Sequence, residues 1–294
     1  MPEIQQLLLE LPLGVEKIEI ELTTHSLIAL ATKEPASKLE LVLCLPGFTG
    51  SKEDYLAILP PLSQAGYQVI SIDQRGQFES KFANDKNSFT VEALAKDVTE
   101  IAEKFNKPIH LIGHSMGGLV AAGAVLSAPE LFSSLTLLCS GPGAIPITRQ
   151  RNISAIRKGF PQTPLLAAWK LIEAEEKRID PNKFSDEVWA FRKKRWLENN
   201  PQALHEMAVI LQDTPDFSEP LAEVLKLNQI ACLVLTGEHD DIWPLSDQQK
   251  MAQVLAADYL VLADAGHSPA RETPAETATA LVNFYEKLVE EVPK

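Results

Sequence analysis

The chain has 294 residues, 45% hydrophobic and 23% charged, with 27 Lys and Arg against 40 Asp and Glu. That composition suits a soluble globular protein built as one large domain or as a domain carrying an insertion. The formal net charge of −13 argues against a nucleic-acid or anionic-membrane partner, since both attract basic surfaces.

The N-terminal stretch "MPEIQQLLLELPLG" carries acids and no basic segment, and its apolar run Leu7–Leu9 is too short for a signal core. No stretch approaches the ~20 apolar residues that a membrane span needs. Cys44, Cys139 and Cys232 are odd in number, fit no metal-site spacing and fall inside expected buried strands. They read as core thiols, and a reducing cytoplasm is the expected location.

In chain order, polar–apolar alternation over 15–22 and 26–32 predicts two strands at an antiparallel sheet edge. Continuous apolar runs follow at 39–45, 67–73, 108–114, 134–140, 230–236 and 259–263, the pattern of parallel strands buried on both faces. Helical segments lie between most of them, at 52–65, 90–105, 116–127, 246–256 and 274–291. Thr90 with Glu92 in the first turn reads as a helix start, and Pro274 as another. This alternation implies a doubly wound, mostly parallel α/β sheet.

From 146 to 228 no strand is expected, and the interval is helical, punctuated by Pro161, Pro164, Pro181, Pro201, Pro215 and Pro220. Some 80 residues are too many for a loop in a compact domain. The interval therefore reads as a helical cap inserted into a core domain made of 1–145 and 229–294. It holds Trp169, Trp189 and Trp196 together with Phe160, Phe184 and Phe191. Between Ile147 and Asn200 there are 12 Lys and Arg against 7 Asp and Glu, the reverse of the chain's balance. Residues 185–200 read as one helix with Ser185 as N-cap, Val188, Phe191, Trp196 and Leu197 apolar, and Arg192–Arg195 as a solvated face.

"HLIGHSMGGLVAAG", from His110 to Gly123, runs from strand to helix with no room between them. The residue at such a corner is pushed toward a strained, often positive-φ conformation, and its neighbours must be small. Gly113 and Gly117 flank Ser115 in that way. An exposed serine hydroxyl then stands beside the first N–H groups of a helix, which lack partners. That arrangement supplies a nucleophile with part of an oxyanion hole, the Met116 N–H. Gly-x-Ser-x-Gly alone arises by chance in about one chain in ten of this length, so partners are required.

The acid is sought at the carboxyl end of a late strand, where "TGEHDDIWP" offers Asp240 and Asp241. Asp240 is preferred, three residues past Gly237 and four before Pro244. His267, in "ADAGHSPARE" before the final helix, is the only histidine after Asp240 and completes the order Ser, Asp, His. His239 is the only rival base, and its own neighbour cannot easily orient it. His110 and His114 flank the corner within a strand and are expected only to pack, whereas His25 falls in an edge strand and His205 in the cap. The loop "LPGFTGS" after the third strand offers the Phe48 N–H as second oxyanion donor, with Gly47 allowing close approach.

On these segments the chain resembles an α/β-hydrolase-fold serine hydrolase of the capped esterase, lysophospholipase-like type. "LPGFTGS" matches the oxyanion loop, "DQRGQFES" the loop after the fourth strand, "GHSMGG" the nucleophile elbow, "GEHDDIWP" the acid loop and "AGHSP" the base loop. The resemblance implies an eight-stranded sheet and acyl-enzyme catalysis by Ser115, His267 and Asp240. It implies a small apolar ester or related acyl substrate, with no metal or organic cofactor. Thioester, lactone or amide cleavage, C–C bond hydrolysis, a lyase, a perhydrolase and a slow-turnover ligand receptor are the alternatives. Two departures stand out: Pro46-Gly47 where the family usually has His-Gly, and Phe78 in place of the second glycine of Arg-Gly-x-Gly. Phe78, Trp169, Trp189, Trp196 and Trp243 are the candidate pocket residues.

Overall fold

The computed structural model describes residues 10–33, 40–83 and 88–290. Eight strands form one sheet in the order β1-β2-β4-β3-β5-β6-β7-β8. They are β1 Val15–Glu21, β2 Ser26–Thr32, β3 Leu41–Leu45, β4 Gln68–Ile72, β5 Ile109–His114, β6 Phe132–Leu138, β7 Ala231–Gly237 and β8 Asp258–Leu262. The alternating segments pair antiparallel, with Val15 opposite Thr32, and β2 joins β4 antiparallel. From β4 to β8 every pairing is parallel. Leu39, at the start of the expected third strand, lies outside the described residues.

Helices cover both faces, as continuous apolar strands require. The helices outside the 146–228 interval are α1 Leu59–Gln64, α2 Val91–Ala102, α3 Met116–Ser127, α9 Leu245–Leu255, α10 Pro269–Glu272 and α11 Pro274–Glu290. Within the interval lie α4 Arg151–Gly159, α5 Leu165–Ile179, α6 Asp186–Glu198, α7 Pro201–Asp213 and α8 Ser218–Asn228. The Thr90 hydroxyl accepts from the Ala93 N–H and so caps α2; the Ser185 hydroxyl accepts from Val188 N–H and caps α6. Among the described residues no helix is long and apolar enough to cross a membrane.

Three expectations are corrected in detail. The single helix over 52–65 is a 3₁₀ turn, Lys52–Tyr55, followed by the short α1. Pro60 and Pro61 lack the N–H of a helix interior and are tolerated only in a first turn, so the helix restarts at Leu59. The sixth strand starts and stops two residues early, so Cys139 and Ser140 lie beyond its end, and Cys139 turns away at φ 45°. Cys44 and Cys232 stay in strands, and all three thiols are buried and free. His25 belongs to the turn before β2 rather than to a strand, and its Nε2 contacts the Asp97 carboxylate at 3.3 Å.

One large apolar cluster joins the sheet to α2, α3 and α9, and a second joins the other face to α1 and α11. The interval 146–228 packs in two ways. Ala203, Met207, Ile210 and Leu211 of α7 and Leu221 and Leu225 of α8 belong to the first sheet cluster. Phe160, Trp169, Trp189 and Trp196 form a separate cluster with Leu204.

The basic run of α6 is solvated only in part: Lys193 and Lys194 are exposed, whereas the two arginines are held. Arg192 makes two 2.7 Å bonds to the Glu176 carboxylate and lies over the Phe184 and Trp189 rings. Arg195 donates to Asp54 Oδ1 at 2.8 Å and to Ser51 Oγ at 3.2 Å. A guanidinium fork matches carboxylates and aromatic faces alike, so arginine spacing alone does not mark an exposed surface.

Candidate active site

β5 is buried along its whole length and runs directly into α3, with Ser115 at the corner. Ser115 adopts φ 54°, ψ −121°, the strained conformation the junction requires. A Cβ on Gly113 would lie 2.4 Å from the Gly117 carbonyl oxygen, and one on Gly117 would lie 2.5 Å from that of Leu45. Neither position accepts a side chain without moving backbone. The corner is tied down by Ser115 N–H to the Leu138 carbonyl and by the Ser140 hydroxyl donating to the Ser115 carbonyl, both at 2.9 Å.

The loop after β7 brings Asp240 to the same end of the sheet, and the loop after β8 brings His267. His267 Nε2 is 3.0 Å from Ser115 Oγ, and its Nδ1 is 2.8 Å from Asp240 Oδ1. The Asp240 carboxylate also accepts from the Ile242 N–H at 2.9 Å and from Gln248 Nε2 at 2.9 Å. An acceptor-only carboxylate at Nδ1 places the imidazole proton there and leaves the Nε2 lone pair facing the serine hydroxyl. Asp241 and His239, the rival acid and base, are both exposed and turned to solvent, whereas Asp240 is buried. The three residues chosen from the sequence are thus brought together.

Met116 opens α3, so its N–H has no acceptor within the helix. On the other side the loop after β3 passes so close that a Cβ on Gly47 would lie 3.0 Å from Ser115 Cβ. Phe48 follows in a turn closed by Gly50 N–H to the Gly47 carbonyl at 3.0 Å. Its side chain packs against both the sheet cluster and the tryptophan cluster of the helical interval.

Several groups that sequence reasoning missed hold these loops. Gln74 Nε2 donates to the Pro46 carbonyl and Gln77 Nε2 to the Gly47 carbonyl, both at 2.9 Å. The loop after β4 therefore braces the loop after β3, in the segment where Pro46 replaces the usual histidine. Lys52, at the end of that loop, is buried with Nζ 2.9 Å from Asp73 Oδ2 and 2.7 Å from Glu79 Oε2. His114 Nε2 lies 2.6 Å from the His267 carbonyl and ties the corner to the loop carrying the imidazole. Burial and the nearby His267 hold His114 down at about 4, so it is a neutral donor. Glutamines and a histidine before a serine carry no local signal of such long-range bonds.

The candidate pocket residues fall in three places, with Trp169, Trp189 and Trp196 together in one cluster. Trp243 is fully buried, its ring 6.3 Å from that of His267 and packed against Gly141. Phe78 is buried at φ 38°, with its ring against Phe191 of α6 and beneath Lys52 Nζ. Trp169 and Trp189 meet edge to face at 6.1 Å, and Trp196 packs on Phe160 and donates Nε1–H to the Leu165 carbonyl.

Residues 42–280 match the Alpha/beta hydrolase family, and the chain belongs to that family. It is 31% identical over 254 residues to the dihydrolipoyllysine-residue acetyltransferase component of the acetoin cleaving system of Pseudomonas putida, covering 82% of this chain and 62% of that protein. It is 25% identical over 232 residues to the 2-hydroxy-6-oxononadienedioate/2-hydroxy-6-oxononatrienedioate hydrolase of Escherichia coli (strain K12 / DH10B), covering 76% of this chain and 77% of that one. The first three curated relatives are matched over only 37%, 62% and 37% of their own lengths. A thermophilic esterase from Thermogutta terrifontis superposes with a TM-score of 0.72 at 22% identity, covering 93% of this chain and 99% of that one. At that identity the likeness shows the fold.

Proposed function

We propose that the protein is a serine hydrolase that cleaves a carboxylic ester, or a related acyl bond, of a small apolar molecule through an acyl-enzyme. The observation that carries this reading is the continuous hydrogen-bonded chain Ser115–His267–Asp240, with the serine at a strained strand–helix corner. Ser115 Oγ attacks the substrate carbonyl while His267 Nε2 takes its proton. Asp240 holds the imidazole and stabilises its charged form. Negative charge develops on the carbonyl oxygen and is met by the Met116 and Phe48 N–H groups. The tetrahedral species collapses, the leaving alcohol takes the proton from His267, and the acyl group stays on Ser115. Water then attacks the acyl-enzyme, giving its proton to His267, and the acid leaves. The mechanism calls for no cofactor.

In this reading α4 to α6 form a cap over the serine, and Phe48 couples its tryptophan cluster to the reacting centre. An esterase shares this fold, which also carries thioesterases and lactonases, so the ester reading rests on the Ser115–His267–Asp240 chain. Hydrolysis of a C–C bond beside a carbonyl uses the same groups and is the second reading, favoured by the similarity to the Escherichia coli hydrolase.

The test is turnover of p-nitrophenyl acetate and butyrate with and without Ser115→Ala. A loss of about a thousandfold or more is expected, together with loss of fluorophosphonate labelling. Full activity in the variant would overturn the mechanism. A panel of esters, thioesters, lactones and vinylogous diketones separates the two readings.

A further inference from the structure

We propose that Cys139, Asp240 and His267 form a binding site for a thiophilic divalent cation, Zn²⁺ or Cd²⁺, and that its occupation switches hydrolysis off. Binding rests on geometry alone; the effect on turnover rests on the proposed role of His267. The Cys139 sulfur, a carboxylate oxygen of Asp240 and an imidazole nitrogen of His267 lie within 4.8 Å of one another. Cys139 reaches this position because it lies just past the end of β6, beside the end of β7. Its sulfur accepts from the Gly237 N–H at 3.4 Å and is 3.6 Å from the Gly266 carbonyl, adjacent to His267.

Thiolate, imidazole and carboxylate are the donor types that zinc and cadmium select. Zinc–ligand distances of about 2.0–2.3 Å put neighbouring ligands some 3.3–3.7 Å apart, so the sulfur must draw in by up to about an ångström while the 2.8 Å pair of His267 Nδ1 and Asp240 Oδ1 opens by about half an ångström. Charge favours the site as well. One thiolate and one carboxylate neutralise the divalent ion while the imidazole stays neutral, so no net charge is buried. His267 is the ligand nearest to solvent, its side chain 22% exposed, whereas Cys139 and the Asp240 carboxylate are buried.

Inhibition follows from where the protons go. Before binding, Cys139 carries its thiol proton and His267 carries a proton on Nδ1, facing Asp240. The metal takes the place between Nδ1 and the carboxylate. The thiol proton leaves to solvent, and the Nδ1 proton is replaced by one on Nε2. Nε2–H then faces Ser115 Oγ and can no longer accept its proton. No oxidation or reduction is involved.

The test uses the full chain. In the Ser115→Ala variant, added Cd²⁺ is expected to give a stoichiometric cadmium–thiolate charge-transfer band in the ultraviolet. The band should vanish in Ser115→Ala/Cys139→Ala, although Cys44 and Cys232 remain. In the protein with Ser115 intact, Zn²⁺ should inhibit p-nitrophenyl butyrate hydrolysis, EDTA should restore it and Mg²⁺ should have no effect. Cys139→Ala and Cys139→Ser, active without metal, should need at least about tenfold more Zn²⁺. Equal zinc sensitivity of both variants, or no cadmium band, would overturn the proposal. A band that depends on Cys139, in a protein whose hydrolysis survives Ser115→Ala, would uphold the site and overturn only its link to this catalytic reading.

Discussion

The most constrained residues stand around Asp240. Its carboxylate receives three donors, and one of them, Gln248 Nε2, comes from α9, eight residues further on. Gln248 is fully buried, and its amide also donates to the Trp243 carbonyl at 3.2 Å. Removing that donor leaves the carboxylate more basic, which favours the protonated imidazole. Gln248→Leu is therefore expected to move the rising limb of the kcat/KM pH profile to higher pH and to lower kcat by about tenfold. An unchanged profile with a lowered melting temperature would mean that Gln248 only packs. His114 gives a second pH signature, in stability. Burial holds it at about 4 in the fold, against about 6.5 in an unfolded chain. Below that value the unfolded chain binds a proton that the folded chain does not. The neutral-His contribution is thus complete above pH ~6.5 and is lost as pH falls toward 4, at about 1.4 kcal/mol per pH unit. Urea midpoints measured from pH 7 to 4.5 should drop accordingly, and His114→Gln, which keeps an N–H donor, should make the drop shallower. A drop of the same steepness would assign the titration to other groups.

At the scale of elements, the strand–helix junction is governed by backbone contact rather than by side chains. β5 and α3 approach each other and the loop after β3 so closely that Gly113 and Gly117 face carbonyl oxygens. Gly117→Ala is expected to cost about 2–4 kcal/mol, since the added methyl meets backbone that cannot yield cheaply. Gly14 is the contrast. It has φ +84° but open space around it, so Gly14→Ala should cost only about 1 kcal/mol of backbone strain. Thermal unfolding of the two variants checks the difference, and equal melting temperatures would remove steric contact as the reason for Gly117. α6 shows a second kind of coupling. Its N-terminal half feeds Trp189 and Arg192 into the tryptophan cluster, while Arg195 near its end bonds Ser51 and Asp54 beside the loop that carries Phe48. The helix thereby joins the proposed cap to the proposed oxyanion loop.

For the molecule as a whole, the helical interval has two parts. α7 and α8 are built into the sheet's own apolar cluster and hydrogen-bond back to it, through Ile145 N–H to the Leu211 carbonyl and Phe217 N–H to the Pro142 carbonyl. α5 and α6, with Phe160, carry their own cluster. Replacing 151–199 by a flexible linker of about ten residues, enough to run the roughly 20 Å length of α7, should leave a folded core that a fluorophosphonate still labels at Ser115. Its preference among ester chain lengths should be flattened. Removing 201–228 instead should expose the sheet cluster and leave the protein insoluble. A soluble, labelled product from the second deletion would show that α7 and α8 are dispensable to the core. The eight strands, the long helices α2, α3, α9 and α11 and the Ser115 corner were legible in the sequence, whereas the break at Lys52–Tyr55 and the short α10 were not. Each legible feature is written locally, in apolar runs of strand length, in a cap such as Thr90, and in glycines that only a backbone collision requires. Asp240 and His267 were legible as well, because chain order and strand ends bound the choice. The tertiary structure alone decided that Gln74, Gln77, His114 and Gln248 hold the loops. It alone placed Arg192 and Arg195 against carboxylates and rings instead of in water. These are contacts between residues tens to hundreds of positions apart or around a loop whose direction is set by its neighbours, and a polar side chain carries no mark in the sequence of the partner that folding will bring to it.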